Sequence, residues 1–462
     1  MDETFVTSLA VGLPDELLRL KYAGFLEEFK KKAAYHLYRD DLPDIVKRRI
    51  LLEAHNLETI RTEYQLDESD LIEGIQKYIP NFTQADFDKL ASDVDYIFVD
   101  GKKKYFNASI SSLFITSKTL RDWPGSTYPK DDDRDVKFSR DLMRKNGKAK
   151  VSNDIEFTCT VKKEWAQGSR LFVHLPYPSP QGLGMGPIRF VSSSGACEIA
   201  PEEAPQRTAA FRADGSEQNA FSVRLQADFS LSYMTYAQIV KAGQEVTDEE
   251  EQKLERAIKD SDLAEKSPHY VFSPFIKALS EKIVGATVDK TEIAKKIYDY
   301  ITRRYQYAYV REYALIDQLP EYFALRGRGD CGLQASLLIT LCRYNGIPAR
   351  WQSGIVTDGE GGAHDWAAVY FRGVGFRPVD PSFGGGALRR GREEDNAFYF
   401  GNVDPYRLIF NTDIQEAFQP AKNHYRTDPY DNQYGEAETS SDMLRRPDQV
   451  SFRRIIHKQI IE

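Results

Sequence analysis

The chain has 462 residues, with 62 Lys and Arg against 70 Asp and Glu for a formal charge of −8, which is too long for one hydrophobic core and predicts two or three domains. The acidic balance excludes a nucleic-acid partner, which needs concentrated cations; the short basic runs Lys102 to Lys104 and Arg389-Arg390-Gly391-Arg392 read as solvated surface. Four widely spaced cysteines without a CxxC pair predict neither a disulfide framework nor a zinc site, no loop has EF-hand spacing, and no apolar run reaches the roughly 18 to 20 residues of a membrane helix.

In chain order, residues 1–130 read as a mainly helical region ending in a β-hairpin. Leu17, Leu18, Tyr22, Phe25, Leu26 and Phe29 recur at helical steps, and Thr83 with Asp86 has the form of a capping box. Tyr96-Ile97-Phe98-Val99 and Tyr105-Phe106 flank Asp100-Gly101, a pair suited to a short hairpin turn. The charge density of residues 131–150 predicts a linker, in which Phe138, Leu142 and Met143 leave room for one helix.

Residues 151–240 change to β character and predict a sandwich-like module. Its strands are Ile155 to Val161, Ser169 to Pro176 and Phe221 to Ala227, separated by Pro, Gly and Ser turns. Residues 241–435 form the last predicted domain, and 436–462 a C-terminal tail. Thr247 with Glu250 caps a charged helix, Phe275 to Ile283 begins another, and Asp289 with Glu292 caps Thr291 to Arg304.

The chemistry concentrates in the last domain. Cys331 stands in Arg328-Gly329-Asp330-Cys331-Gly332, just before a helix whose stripe runs Leu337, Leu338, Leu341 and Cys342 until Asn345-Gly346 and Pro348 stop it. A helix start favours an anion and is expected to lower the thiol pKa. His364 opens a strand ending at Phe371, and Asp380 closes the next one, Gly375 to Asp380. A hairpin through Arg372-Gly373-Val374-Gly375 brings the two side by side, so that the carboxylate can hold one ring nitrogen while the other faces the thiol. Nucleophile, base and orienter are the three groups cysteine acyl transfer needs. Taken singly, Cys159, Cys197, Cys342 and His269 read as packing or capping residues.

Gly329-Asp330-Cys331, Tyr344-Asn345-Gly346-Ile347-Pro348-Ala349-Arg350, His364-Asp365-Trp366 and Val379-Asp380-Pro381-Ser382 together resemble the core of the transglutaminase-like superfamily, a rearranged relative of papain-type cysteine proteases. The resemblance covers roughly residues 290–435 and implies an α+β catalytic domain, with the Cys-bearing helix packed on an antiparallel sheet. It implies Cys331 as nucleophile, His364 as base and Asp380 as orienter; thiol chemistry requires no cofactor, and no metal site is expected. Similar proteins place an aromatic or amide oxyanion donor upstream, for which Tyr307 in Tyr305-Gln306-Tyr307-Ala308-Tyr309 is the candidate beside its reading as packed core. Bacterial members also carry a β module ahead of the core and a stretch like Leu175-Pro176-Tyr177-Pro178.

Three functions compete on this reading. The first is hydrolysis of peptide or isopeptide amides through a thioester, on a protein or peptide substrate. The second is true transglutamination, with an amine in place of water, and the third a non-enzymatic protein-binding scaffold. Gly384-Gly385-Gly386-Ala387 predicts a mobile loop after Asp380, and Asn402 and Gln433 have amides suited to substrate or to packing. The start Met1-Asp2-Glu3 lacks the features of a secretory signal, and the expectation is a cytoplasmic protein with no membrane partner. Oligomeric state has no signature in the sequence.

Overall fold

The computed structural model describes residues 5–129, 134–358 and 361–462. The amino-terminal region is helical, with helices Asp15–Ala23, Leu26–Leu37, Asp44–Glu63, Glu68–Gln76 and Gln84–Asp88. The expected single stripe is divided: Leu17, Leu26 and Phe29 are buried, whereas Tyr22 and Phe25 are exposed. Gly24, at φ 74°, ends the first helix in the left-handed conformation, so the second starts with a new phase. The hairpin pairs Tyr96 with Tyr105 and Val99 with Lys102, and both turn residues, Asp100 and Gly101, have positive φ.

Lys130 to Asp133 lie outside the described residues. The rest of the segment expected as a linker is ordered structure: Arg134–Asn146 is a helix, and Lys148 already begins a strand. Met143 on that helix is fully buried, and Arg140 donates to Asp395 at 2.8 Å, so the charges that suggested solvent are partly spent on ion pairs with the last domain.

The β module consists of two sheets facing each other. One carries Lys148–Val161 between Ala220–Ser232 and Val450–Ile461, with Met185–Ser193 at its edge. The other is built on Arg170–Pro176 and Thr208–Asp214, with Glu436–Thr439 added beside the first of these. Residues 436–462 are therefore not a tail. Val450–Ile461 pairs with the 148–161 strand over most of its length, with one register shift between Ile456 and Lys458. Ile155, Phe157, Val173, Leu175, Phe211 and Leu225 fill the space between the sheets, and Ile355, Leu408 and Phe410 of the last domain pack into the same core.

That last domain is α+β. Its sheet is antiparallel in the order Gly375–Val379, Ala363–Phe371, Ala349–Val356, Arg407–Asn411. The cysteine helix, Cys331–Tyr344, packs against the two middle strands, and its residues from Cys331 to Arg343 are all buried. It reads as apolar nearly all round because it is enclosed all round. Gly384 to Ala387, expected as a mobile loop, instead lies inside the helix Pro381–Arg389, which is mostly buried. A Cβ on Gly384 would lie 1.9 Å from the Tyr298 hydroxyl of helix Lys290–Arg304, so the glycine permits close helix packing there.

Candidate active site

Asp330 caps the cysteine helix and fixes where it starts. Its carboxyl accepts the Leu333 N–H at 3.1 Å and the Tyr313 hydroxyl at 2.7 Å. Cys331 is consequently the first helical residue, and the amides of the first turn have no partner within the helix. Gly332 is required by its neighbours: a Cβ there would meet the Tyr313 hydroxyl at 2.1 Å and the Asp365 carboxyl at 2.7 Å.

The strand bearing His364 runs along the sheet beside this helix. His364 Nε2 lies 2.8 Å from Asp380 Oδ2. Asp380 caps the next helix, its Oδ1 accepting the Phe383 N–H at 2.9 Å, and Arg407 Nη1 stands 3.2 Å from Oδ2. Arg407 in turn holds Asp404 at 2.6 Å. Burial alone would raise the Asp380 pKa, but His364 and Arg407 outweigh it and hold the carboxyl below the usual range. The imidazole is sandwiched between Trp366 and Phe383, with ring centroids at 5.8 and 4.4 Å.

Sequence reasoning expected the thiol to face the second ring nitrogen, and the structure differs. The Cys331 sulfur donates to Asp365 Oδ2 at 3.4 Å, and no hydrogen bond joins it to His364 among the described residues. The expected lowering of the thiol pKa is also reversed. Burial pushes it well up, Asp365 and Asp330 push it further, and a hydrogen bond from the Asp365 backbone opposes them only partly. The helix terminus is real, but its effect is overridden by desolvation and by two neighbouring carboxyls.

A cleft of about 460 Å³ opens beside His364, lined also by Tyr307, Tyr309, Phe383, Ser382, Tyr399 and Arg140. Cys331 is 8% exposed and is not part of that lining. Tyr307 reaches the site through a short parallel pairing in which it opposes Gly329, two residues before the cysteine. Burial, then the nearby Cys331 and Asp330, raise its phenol well above the ordinary range, so it stays a proton donor.

Asn402 is committed to structure, bonding Met234, Phe398 and Arg377. Gln433 is not idle either: its amide donates to Asp365 Oδ1 at 2.6 Å and to the His364 carbonyl at 3.2 Å. His269 is buried, its Nε2 2.8 Å from the Tyr430 hydroxyl, and Cys159 and Cys342 are buried in cores. Sequence reading missed Asp365, Asp431 and Arg407. Only Asp365 had a local signal, since a carboxyl between His364 and Trp366 on a buried strand violates its apolar surroundings.

No curated protein matches the chain. Among solved structures, a candidate cysteine protease from Cytophaga hutchinsonii is similar at 14% identity and TM-score 0.37, covering 68% of this chain and 89% of that one. The periplasmic domain of TgpA from Pseudomonas aeruginosa is similar at 13% identity and TM-score 0.27, covering 56% of this chain and 94% of that one. A family model, that of the transglutaminase-like superfamily, matches residues 277–381, a segment that runs from within helix Pro274–Val284 to the residue after Asp380. Over that segment the chain carries a core of the transglutaminase-like superfamily.

Proposed function

We propose that this chain is a cysteine enzyme that opens peptide or isopeptide amide bonds through a thioester on Cys331. The observation that carries the reading is the buried relay of Arg407, Asp380 and His364, at 3.2 and 2.8 Å, on the strand that flanks the amino end of the cysteine helix and beside an open cleft. A relay of that kind orients an imidazole and stabilises its charged form. Because Nε2 is held by Asp380, the nitrogen left for chemistry is Nδ1.

In the reaction, the S–H bond of Cys331 swings from Asp365 to His364, the sulfur staying beside Asp365, and its proton passes to Nδ1. The thiolate adds to the carbonyl, and the first-turn amides with the Tyr307 hydroxyl suit the developing oxyanion. His364 returns the proton to the leaving amine as the C–N bond breaks, leaving a thioester. Water, deprotonated by the same nitrogen, releases the acid. A protein or peptide substrate suits a cleft of this size with aromatic walls.

The test is peptide turnover with the full chain, together with alkylation of its cysteines. Cys331→Ala is expected to fold and to lose turnover entirely, and His364→Ala to lose on the order of 100-fold or more. Iodoacetamide should label Cys331 faster than Cys159, Cys197 and Cys342. Equal labelling of all four, with no turnover of any peptide, would favour a binding scaffold. Addition of a primary amine should leave the acid as the main product, and exclusive amide exchange would make the enzyme a transferase instead.

A further inference from the structure

The strand that presents His364 to Asp380 presents the next residue to the sulfur. Asp365 lies with its Oδ2 3.4 Å from the Cys331 sulfur, while its Oδ1 accepts from Gln433 at 2.6 Å. The carboxyl is 6% exposed as part of its residue, and a second buried aspartate, Asp431, stands against it. Gly332 has no side chain because Asp365 and Tyr313 occupy that space. The groups that act most strongly on the sulfur, after burial itself, are Asp365 and Asp330.

This arrangement poses a difficulty for thiolate chemistry. Two ionised carboxylates beside a buried sulfur would make a third negative charge there very costly. The site accommodates a thiolate if the nearest carboxyl is neutral, and a neutral carboxylic acid is also a strong donor toward sulfur. We propose that Asp365 is a fourth catalytic group, a carboxylic acid that keeps its own proton and donates it as a hydrogen bond to the Cys331 sulfur as the thiolate forms. The inference rests on the reading of Cys331 as nucleophile. Proton balance is simple: the thiol proton goes to His364 Nδ1, and the Asp365 proton stays on Asp365 throughout.

The surroundings keep that proton in place. Burial raises the Asp365 pKa well above the ordinary value, Asp431 and Asp330 add to it by their charge, the hydrogen bond from the Cys331 thiol opposes them, and a hydrogen bond with Asp431 raises it again. Facing Asp365 are Cys331 and Asp330 from the cysteine helix, Tyr307 and Tyr313 from the segment ahead of it, and Tyr270 from the loop before helix Pro274–Val284. Asp431 faces it from the carboxyl side, with Asp428 behind, and Arg426 is the cation that acts on those two. His364, next to it in the chain, is paired with Asp380.

Asp365 ionises as pH rises, which removes the donor and adds a negative charge beside the sulfur. Timing iodoacetamide addition to Cys331 by mass spectrometry, across pH and with Cys331→Ala as blank, reads this directly. In the wild-type chain the rate is expected to climb as thiolate forms and then to fall at higher pH. Asp365→Asn, which cannot ionise as pH rises, should lose the fall at higher pH, and the shape of its pH profile is the readout. Asp365→Ala should be slower by roughly tenfold at neutral pH, the worth of one hydrogen bond to a charged group. A wild-type rate that rises to a plateau without a fall would overturn the proposal, and that measurement needs no variant to fold. So would an Asp365→Ala rate equal to wild type. Preferential Cys331 labelling with a plain plateau would leave the enzyme reading standing, whereas unselective labelling would remove both.

Discussion

Asp380 and Asp365 are two aspartates buried one on each side of the histidine, yet their chemistry is opposite. Asp380 is reached by His364, Arg407 and a helix-start amide, and it stays ionised below the ordinary carboxylate range. Asp365 is reached by a thiol, an amide side chain and further carboxyls, and its pKa is raised well above the ordinary value. Burial raises both. The partner set decides, because His364, then Arg407 and a helix-start amide, together offset a desolvation cost that an amide or a thiol cannot. Carboxyls whose pKa values are pushed apart in this way suit different tasks.

The comparison can be broken from its charged side. Arg407→Met removes the cation and strands Asp380 and Asp404, so a loss of about 3–5 kcal/mol in denaturant unfolding is expected, with Asp380 titrating higher. A stability change under 1 kcal/mol would show that the relay is held by other contacts. Gly384→Ala disturbs the support of the same relay, pushing the Tyr298 hydroxyl away from the helix that Asp380 caps; about 1–3 kcal/mol should be lost. Unfolding midpoints that match wild type would mean the two helices slide apart freely.

On the neutral side the effects are smaller. Gln433→Ala removes the donor to Asp365 and is expected to cost about 1 kcal/mol. The pH dependence of stability sharpens the contrast further. Asp380, with its lowered pKa, contributes stability that is complete above the ordinary aspartate value and lost as pH falls through the lowered one. Asp365, with its raised pKa, contributes stability present below the ordinary value and lost as pH rises through the raised one. Glu63, pushed up to about 8 by burial and by Glu312, acts in the same direction as Asp365 between its ordinary value and 8. Asp365→Asn and Glu63→Gln should therefore each flatten the decline of unfolding free energy toward alkaline pH, and an unchanged slope in both would contradict the assigned protonation.

How much of this was legible in the sequence depends on distance along the chain. The caps at Asp289 and Thr247 and the turn at Asp100-Gly101 are local devices, and each stands where its residues predict. The pairing of His364 with Asp380 was legible because a hairpin joins them. Arg407 and Asp431 were not, since each arrives from a separate segment and no spacing announces it. Gly384-Gly385-Gly386 shows the limit of composition: glycine reads as flexibility, while the Tyr298 hydroxyl makes it a packing requirement.

The order of elements, their caps and the local settings of Cys331, His364 and Asp380 were determined by the sequence, because periodicity and end signals act within a few residues. Which carboxyl meets the sulfur, and whether it carries a proton, was decided only by the tertiary structure. Both depend on what burial removes and which charges packing brings near, and neither is encoded in any one segment.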